Sequence, residues 1–471
     1  MRQMSKKKRS MSALFLRSDR REPSLSNVVE HPFQESNADK ILVVAHNHPE
    51  LYPGGGEILA YQLFKAYEAM EGVEARFLAA TGDFSRRAHD GTPFLALADR
   101  PNEFIFHNDR FNYTRLSNQA PEKLKALRRF LLDEKPDIIH LHHLLRFGVE
   151  LLPLIRHTLP EAKIFLTLHD FIPICRRDGQ MIRSADGALC ASASPGRCAE
   201  CFPEISPQRF KLRELSLKAH LAFVDGFISP SEFLAQRYRD WGLPAEKIHV
   251  IANGTPEVVP VPHREPEAGD WRGRFAYFGQ ISEFKGMEVL LDACEMLKAQ
   301  GVTDFNVAIH GNVSAQPEAF QARFQERVRA LSPQVEFHGR YSSQELPARM
   351  ASADWVLTPS IWWENSPLVI AEAFRHQRPV ICSGIGGMAE LVTHEQTGLH
   401  FLPGSAADLA AAMHRAMGED GLWDNCVGAI AQPPSTEAMA GLYHALFRSV
   451  NPNRKEKAQQ IERVEEMSYG S

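Results

Sequence analysis

The sequence lacks any apolar run of the roughly 20 residues needed to cross a bilayer, so no spanning helix is expected. It also lacks an excess of positive charge: a net charge of −5 gives no reason to expect nucleic acid as a partner. Cysteine is scarce and odd in number, seven residues, which fits a reducing, cytoplasmic setting better than a disulfide scaffold. Acid is nearly absent from residues 1–21, "MRQMSKKKRSMSALFLRSDRR", where Asp19 stands alone among eight basic residues. The apolar patch inside that stretch is too short for a secretory signal and no small-residue cleavage site follows. Residues 1–38 therefore read as a disordered basic tail, either solvated or in peripheral contact with the inner, anionic face of a membrane.

From residue 39 onward the chain alternates. "KILVVAHNHP" is an apolar run of strand length that gives way to a glycine triplet. A helix follows, with Leu59, Leu63, Tyr67 and Met70 at helical spacing. "VEARFLAA", "PDIIHLH" and "AKIFLTLH" read as buried strands, with a helix over 120–134; "GFIS" is a strand before a helix started by Ser231, and "EKIHVIANG" is a further strand. The segment 255–271 carries four prolines and no period, and is the best linker in the chain. The alternation then restarts with "RFAYFGQ", helices over 286–300 and 317–331, the strands "NVAIHG", "VEFHG", "DWVLTPS" and "RPVICS", and a helix from Ser405. Strand–helix alternation implies parallel sheets with helices on both faces. Two such runs imply an α/β protein of two Rossmann-like domains facing across a cleft, 39–254 and 272–432. A helix over 433–452 could return to the first domain, ahead of a charged tail, 453–471.

The most informative stretch is "WWENSPLVIAEAFRHQRPVI" (362–381), with Glu364 before a Ser–Pro break and Glu372 beyond it. Ser366 is a suitable N-cap and Pro367 a natural first helical residue, so a helix is expected to run to about His376. Its positive end would offer an anion site at the C-terminal edge of the strand "DWVLTPS", where ligands of doubly wound sheets bind. Carboxylates on either side of a bound anion suit a nucleotide-diphosphate sugar, which carries hydroxyls at both ends and phosphates in its middle. A solvated helix face is the plain alternative, but Glu372 sits in the otherwise apolar "PLVIAEAF".

"GQISEFKG" (279–286), "EN-S-PLVIAEA" and "GIGGMAELVTHEQTG" (384–398) follow in that order, after "YPGGGE", "TLHD" and "ISPSEFL…KIHVIANG" in the first half. Together they make residues 40–430 resemble a retaining glycosyltransferase of family 4, with the GT-B fold. The resemblance implies hexosyl transfer from a nucleotide-diphosphate sugar to a glycan or other hydroxyl acceptor, in glycan or polysaccharide biosynthesis, without a cofactor. Glu372 would hold the donor ribose, Glu364 the transferred sugar with the backbone near Asn365 and Ser366, and Lys285 the diphosphate. Gly54, Gly55 and Gly56 would let their loop approach the donor, His169 would face the reacting sugar, and Asn253–Gly254 would close the first domain. Where the family commonly has an arginine in the diphosphate pocket, this chain has Gln280, which removes one positive charge. An epimerase of the same fold, or a non-catalytic scaffold favoured only by Gln280, are the alternatives.

His46, His48, His140, His142 and His143 fall at strand ends of the first domain, where they could line an acceptor cleft. The segment 175–203 holds Cys175, Cys190, Cys198 and Cys201 without helical or strand period. A structural zinc, disulfide or redox pairing, and unligated thiols are all open to it, and a related pattern occurs in some members of the family the chain resembles.

Overall fold

The first sheet has eight strands. In spatial order they are Ile248–Val250, Gly226–Ser229, Lys163–Thr167, Ile138–Leu141, Asp39–Ala45, Val73–Thr81, Arg100–His107 and Phe94–Leu97, all parallel except the last. The reason for the continuous apolar run "ILVVA" is that both faces are covered. Leu42 and Val44 enter one core, while Ile41, Val43 and Ala45 enter another on the opposite face. The second sheet repeats the plan with six parallel strands, Val335–Gly339, Asn306–Asn312, Arg274–Gln280, Trp355–Thr358, Val380–Ser383 and Gly398–Phe401. There Phe275 and Tyr277 face one core and Ala276 and Phe278 the other.

The computed structural model describes residues 38–82, 92–265 and 271–450; the basic tail and the charged tail read from the sequence lie outside the described residues. Both lobes belong to one compact unit that begins at Ala38. Two chain crossings join them. Thr255 and Ser435 form a β-bridge, and Arg375 binds the Thr255 hydroxyl and the carbonyls of Pro433 and Pro434. Gly254 is needed at this crossing because a Cβ would lie 2.5 Å from the carbonyl oxygen of Ser435. The last helix, Thr436–Ser449, then packs Met439, Ala440, Tyr443 and Phe447 into the core of the first lobe beside Val43 and Phe165.

Several elements carry no clear period in the sequence. The pair Phe94–Leu97 and Arg100–His107 closes the sheet edge, and the helices Leu151–Thr158 and Pro207–Leu221 cover its face. The cysteine segment, read as irregular, holds a short helix, Pro195–Cys201, capped by Ser194, which accepts from Arg197 N. Seven residues with none buried give no detectable apolar repeat.

Candidate active site

Each sheet reverses its strand order once, and each reversal opens a crevice at the carboxyl ends of two strands. In the second lobe the crevice lies between Arg274–Gln280 and Trp355–Thr358. Gly286, at φ +74°, caps the start of the helix Met287–Ala299, and a Cβ there would fall 1.8 Å from the Pro359 carbonyl oxygen. Only glycine lets these two loops touch, and that contact carries Lys285 to Glu364. The lysine Nζ donates to Glu364 Oε1 at 2.6 Å. Trp362 Nε1 donates to the same oxygen at 2.7 Å and Ser360 Oγ at 2.8 Å. Burial opposes charge on Glu364, but Lys285 and the two neutral donors outweigh it and hold the carboxyl below its usual range. Trp362 and Ser360 are partners that the sequence motif did not single out; their signal was adjacency to the acid.

Glu372 differs. It lies on the second turn of Leu368–Arg375, and among the described residues no hydrogen bond or ion pair reaches its carboxylate. Burial alone pushes its carboxyl up to about 7. The expected N-cap at Ser366 does not form. Pro367 occupies the cap position with extended backbone, and no side chain caps the helix. A residue one place too far back cannot reach the first-turn amides; the Ser366 carbonyl instead accepts from Asn253 Nδ2 at 3.3 Å. The Ile370 amide donates to the Pro367 carbonyl at 3.1 Å, and no side chain caps the amides of Leu368 and Val369. The glycine pair of "GIGGMAEL" fixes the preceding loop, since Gly387 N donates to the Glu364 carbonyl at 2.7 Å. A Cβ on Gly387 would meet the Asn365 carbonyl at 1.8 Å. Gln280 ends its strand exposed, with its carbonyl accepting from Tyr277.

The first lobe's crevice is a cavity of about 210 Å³ lined by Ala45, His46, Gly56, Glu57, His142, His143, His169 and Asp170. His142 Nδ1 and His169 Nε2 lie 2.9 Å apart, His143 Nε2 lies 2.9 Å from Asp170, and His46 Nε2 lies 2.8 Å from Glu57. Burial lowers His142 far below its ordinary value and takes His169 down to about 4, with neighbouring histidines adding to both shifts. Burial and His143 lower His46 as well, so its contact with Glu57 is a neutral N–H on a carboxylate. His143 Nδ1 accepts from the Leu144 and Leu145 amides, which places its proton on Nε2, toward Asp170. His142 Nε2 is buried without a partner among the described residues.

Two of the predicted cleft histidines are elsewhere. His48 is fully buried and bonds Glu103 at 3.0 Å, and His140 bonds Thr167 at 2.7 Å beneath Tyr443 and Phe447. His140 shares a strand face with His142, their ring centroids 4.2 Å apart, but lies one step deeper in the sheet and does not line the cavity.

The lobes meet around the acid motif. Asn365 Nδ2 donates to the His169 carbonyl at 2.8 Å. A Cβ on Gly55 would sit 3.8 Å from Leu368, and one on Gly56 3.7 Å from the His169 ring. Glu390 reaches across and accepts from the amides of Glu232 and Phe233 at 2.8 Å, at the start of the helix Glu232–Trp241. Trp363 stacks beside Phe233 and donates to the Cys190 carbonyl at 3.2 Å. The four cysteines line one cavity of about 30 Å³, and all seven thiols of the chain are free. No described helix is long and apolar enough to cross a membrane.

A family described as Glycosyl transferases group 1 matches residues 272–419, and one described as Glycosyltransferase Family 4 matches residues 53–257. The putative colanic acid biosynthesis glycosyltransferase WcaL of Salmonella typhimurium is 30% identical over 39% of this chain and 45% of its own length. The alpha-D-kanosaminyltransferase of Streptomyces kanamyceticus is 24% identical over 43% of this chain and 56% of its own. The chain thus spans about half the length of these two relatives. The glycogen synthase of Mycobacterium tuberculosis is 25% identical over 80% of this chain and 86% of its own. Among solved structures, sucrose-phosphate synthase from Thermosynechococcus elongatus superposes with a TM-score of 0.64 at 20% identity, over 87% of this chain and 98% of that one. Anabaena HepE in complex with UDP and glucose superposes with 0.58 at 18%, over 87% and 100%. At such identities the two structures establish the shared fold.

Proposed function

Since the chain belongs to the group 1, family 4 glycosyltransferases, we propose that it moves a hexosyl unit from a nucleotide-diphosphate sugar to an acceptor hydroxyl with retention of configuration. The observation that carries the reading is the junction of Lys285, Glu364 and an uncapped helix start at the strand reversal of the second lobe. In it the diphosphate lies against the first-turn amides and Lys285. The sugar lies beside Glu364 and Asn365, and the ribose hydroxyls donate to Glu372. A bound ribose supplies the donors that Glu372 otherwise lacks, which favours its charged form.

Cleavage of the sugar–phosphate bond leaves negative charge on the phosphate oxygen and positive character on the sugar carbon. Lys285 and the helix amides stabilise the first, in place before the charge develops. Glu364 stays anionic through its three donors and faces the second without having to attack it. The acceptor comes from the histidine-lined cavity, on the same face as the leaving group, and passes its proton to the departing phosphate. Neutral His169 orients that hydroxyl without placing a competing positive charge beside the sugar. Anabaena HepE, which shares the fold, has been solved in complex with UDP-glucose.

The test is calorimetry and product analysis with UDP, GDP and ADP sugars. Transfer, or slow hydrolysis that releases sugar with the donor's anomeric configuration, supports the proposal. Binding followed by interconversion of the donor would replace it with an epimerase, and silence toward every donor would leave a scaffold.

A further inference from the structure

The cysteine segment is not used by the chemistry above, yet it touches the machinery, because the Cys190 carbonyl receives the indole of Trp363 and Trp363 precedes Glu364. Its folding is thin. Met181 and Ile182 are its buried apolar side chains, a single bridge joins Ile182 to Leu189, and none of the residues of Pro195–Cys201 is buried. Little apolar burial is therefore available to order it. What the segment does share is a focus. Cys175, Cys190, Cys198 and Cys201, from three separate turns of chain, line the same cavity of about 30 Å³. Cys198 and Cys201 stand one helical turn apart on Pro195–Cys201, the spacing at which two side chains face one way. The cavity wall also holds Arg176, Arg177, Arg183 and Arg197.

We infer that the four cysteines bind one zinc ion, which fastens the segment beneath Trp363. Four thiolates around a divalent cation make a closed tetrahedral centre with no open position, suited to structure and not to catalysis. A tetrathiolate zinc centre is doubly negative, and Arg177 and Arg197 are the charges that would neutralise it, Arg176 and Arg183 being paired with Glu204 and Asp186. Among the described residues no group of three or more such side chains already stands in ligand arrangement. Binding therefore turns the thiols into the cavity they line, releasing their protons as the metal enters. The centre stands apart from the transferase reading, and either can fail alone.

Full-length protein purified under reducing conditions from zinc-supplemented cells is expected to carry about one zinc per chain by metal analysis. Its zinc X-ray absorption should show sulfur neighbours at about 2.3 Å. Cys198→Ser should lower the content to below about a tenth, while Cys426→Ser, at a buried cysteine of the other lobe, should leave it unchanged. If Cys198→Ser does not fold, titration of the wild type with a mercurial decides, with a metallochromic dye expected to register one zinc freed as the clustered thiols react. Metal-free wild type, a nitrogen or oxygen shell, zinc that survives Cys198→Ser, or intact disulfides among these four residues would each overturn the assignment.

Discussion

At the strand reversal of the second lobe a cation and an anion are gathered; at that of the first, positive charge is removed, while Glu57 and Asp170 stay anionic. Lys285, Glu364 and the helix start Leu368 bring a cation, an anion and a dipole within one small loop system. His46, His142 and His169, at the same place in a sheet of the same plan, are all pushed by burial toward neutrality. On the proposed function the difference separates two tasks. A site for a diphosphate must present fixed charge where charge develops, whereas a site for a hydroxyl nucleophile needs hydrogen-bonding groups that do not compete with the electrophile. Within the second lobe the contrast recurs on a smaller scale, since Glu364 has three donors on one oxygen while Glu372 has none.

The largest expected effect comes from removing the cation of the charged crevice. Lys285→Ala should lower the transfer rate by about 10²–10³-fold, the usual cost of deleting a preorganised electrostatic partner. It also leaves Glu364 to face its burial with two neutral donors. Initial rates at saturating donor test this, and an unchanged rate would remove the lysine from the leaving-group site and with it the sense of the comparison.

Glu372 sharpens the comparison next. Glu372→Ala should weaken donor binding by about 1.5–3 kcal/mol, the value of a hydrogen bond to a charged group, with less effect on turnover of bound donor. Its carboxyl rises from an ordinary 4.5 to about 7, so donor affinity should climb with pH and level off above about 7. The unliganded fold behaves in the opposite sense. The native state binds this proton more tightly than the unfolded chain, so that contribution to stability is full below 4.5 and lost as pH rises through about 7. Glu372→Gln should flatten both profiles. Calorimetry at pH 6 and 8 showing equal affinities in the wild type would contradict the ribose assignment.

The first lobe titrates the other way. His169 and His142 must charge on unfolding in acid, because their native values lie below the ordinary 6.5. Their stabilising contribution is therefore present above 6.5 and lost as pH falls toward about 4. The His169 contribution should fall by about 1–2 kcal/mol between pH 7 and pH 5, with His142 acting in the same direction. Urea unfolding of the wild type and of His142→Gln at the two pH values measures the His142 part. A wild type no more acid-sensitive than the variant would mean that this histidine is already charged in the native state.

How much of this was legible in the sequence follows from physical range. Both sheets could be read because a strand buried on two faces must be apolar throughout, as in "KILVVA" and "RFAYFG". The glycines of "FKG" and "GIGG" could be noticed, but not that their missing Cβ atoms admit Pro359 and Asn365. Such a close approach involves residues far apart in the chain. The histidine ends of the first lobe were visible as a group, yet His48 and His140 turned away to Glu103 and Thr167 for the same reason of distant partners. The edge strands 94–107 escaped because a strand exposed along one side has no uninterrupted apolar signal. Glu390 lay in plain view within "GGMAEL", but its target, the start of a helix in the other lobe, is set by the docking of the two lobes.

The smallest effect concerns Ser366, and it discriminates between local and tertiary control of the charged crevice. A serine before proline and an apolar helix reads as an N-cap, and losing such a cap typically costs about 1 kcal/mol. Here the extended backbone at Pro367 takes the cap position, and Ser366 contributes a carbonyl to Asn253 instead of a hydroxyl to the helix. Ser366→Ala should therefore change the unfolding free energy by less than about 0.5 kcal/mol, while Asn253→Ala, which removes the donor from the other lobe, should cost more. Urea unfolding of the two variants side by side ranks them. A full capping loss in Ser366→Ala would show the hydroxyl on the first-turn amides, and those amides would then be spoken for before any phosphate arrived.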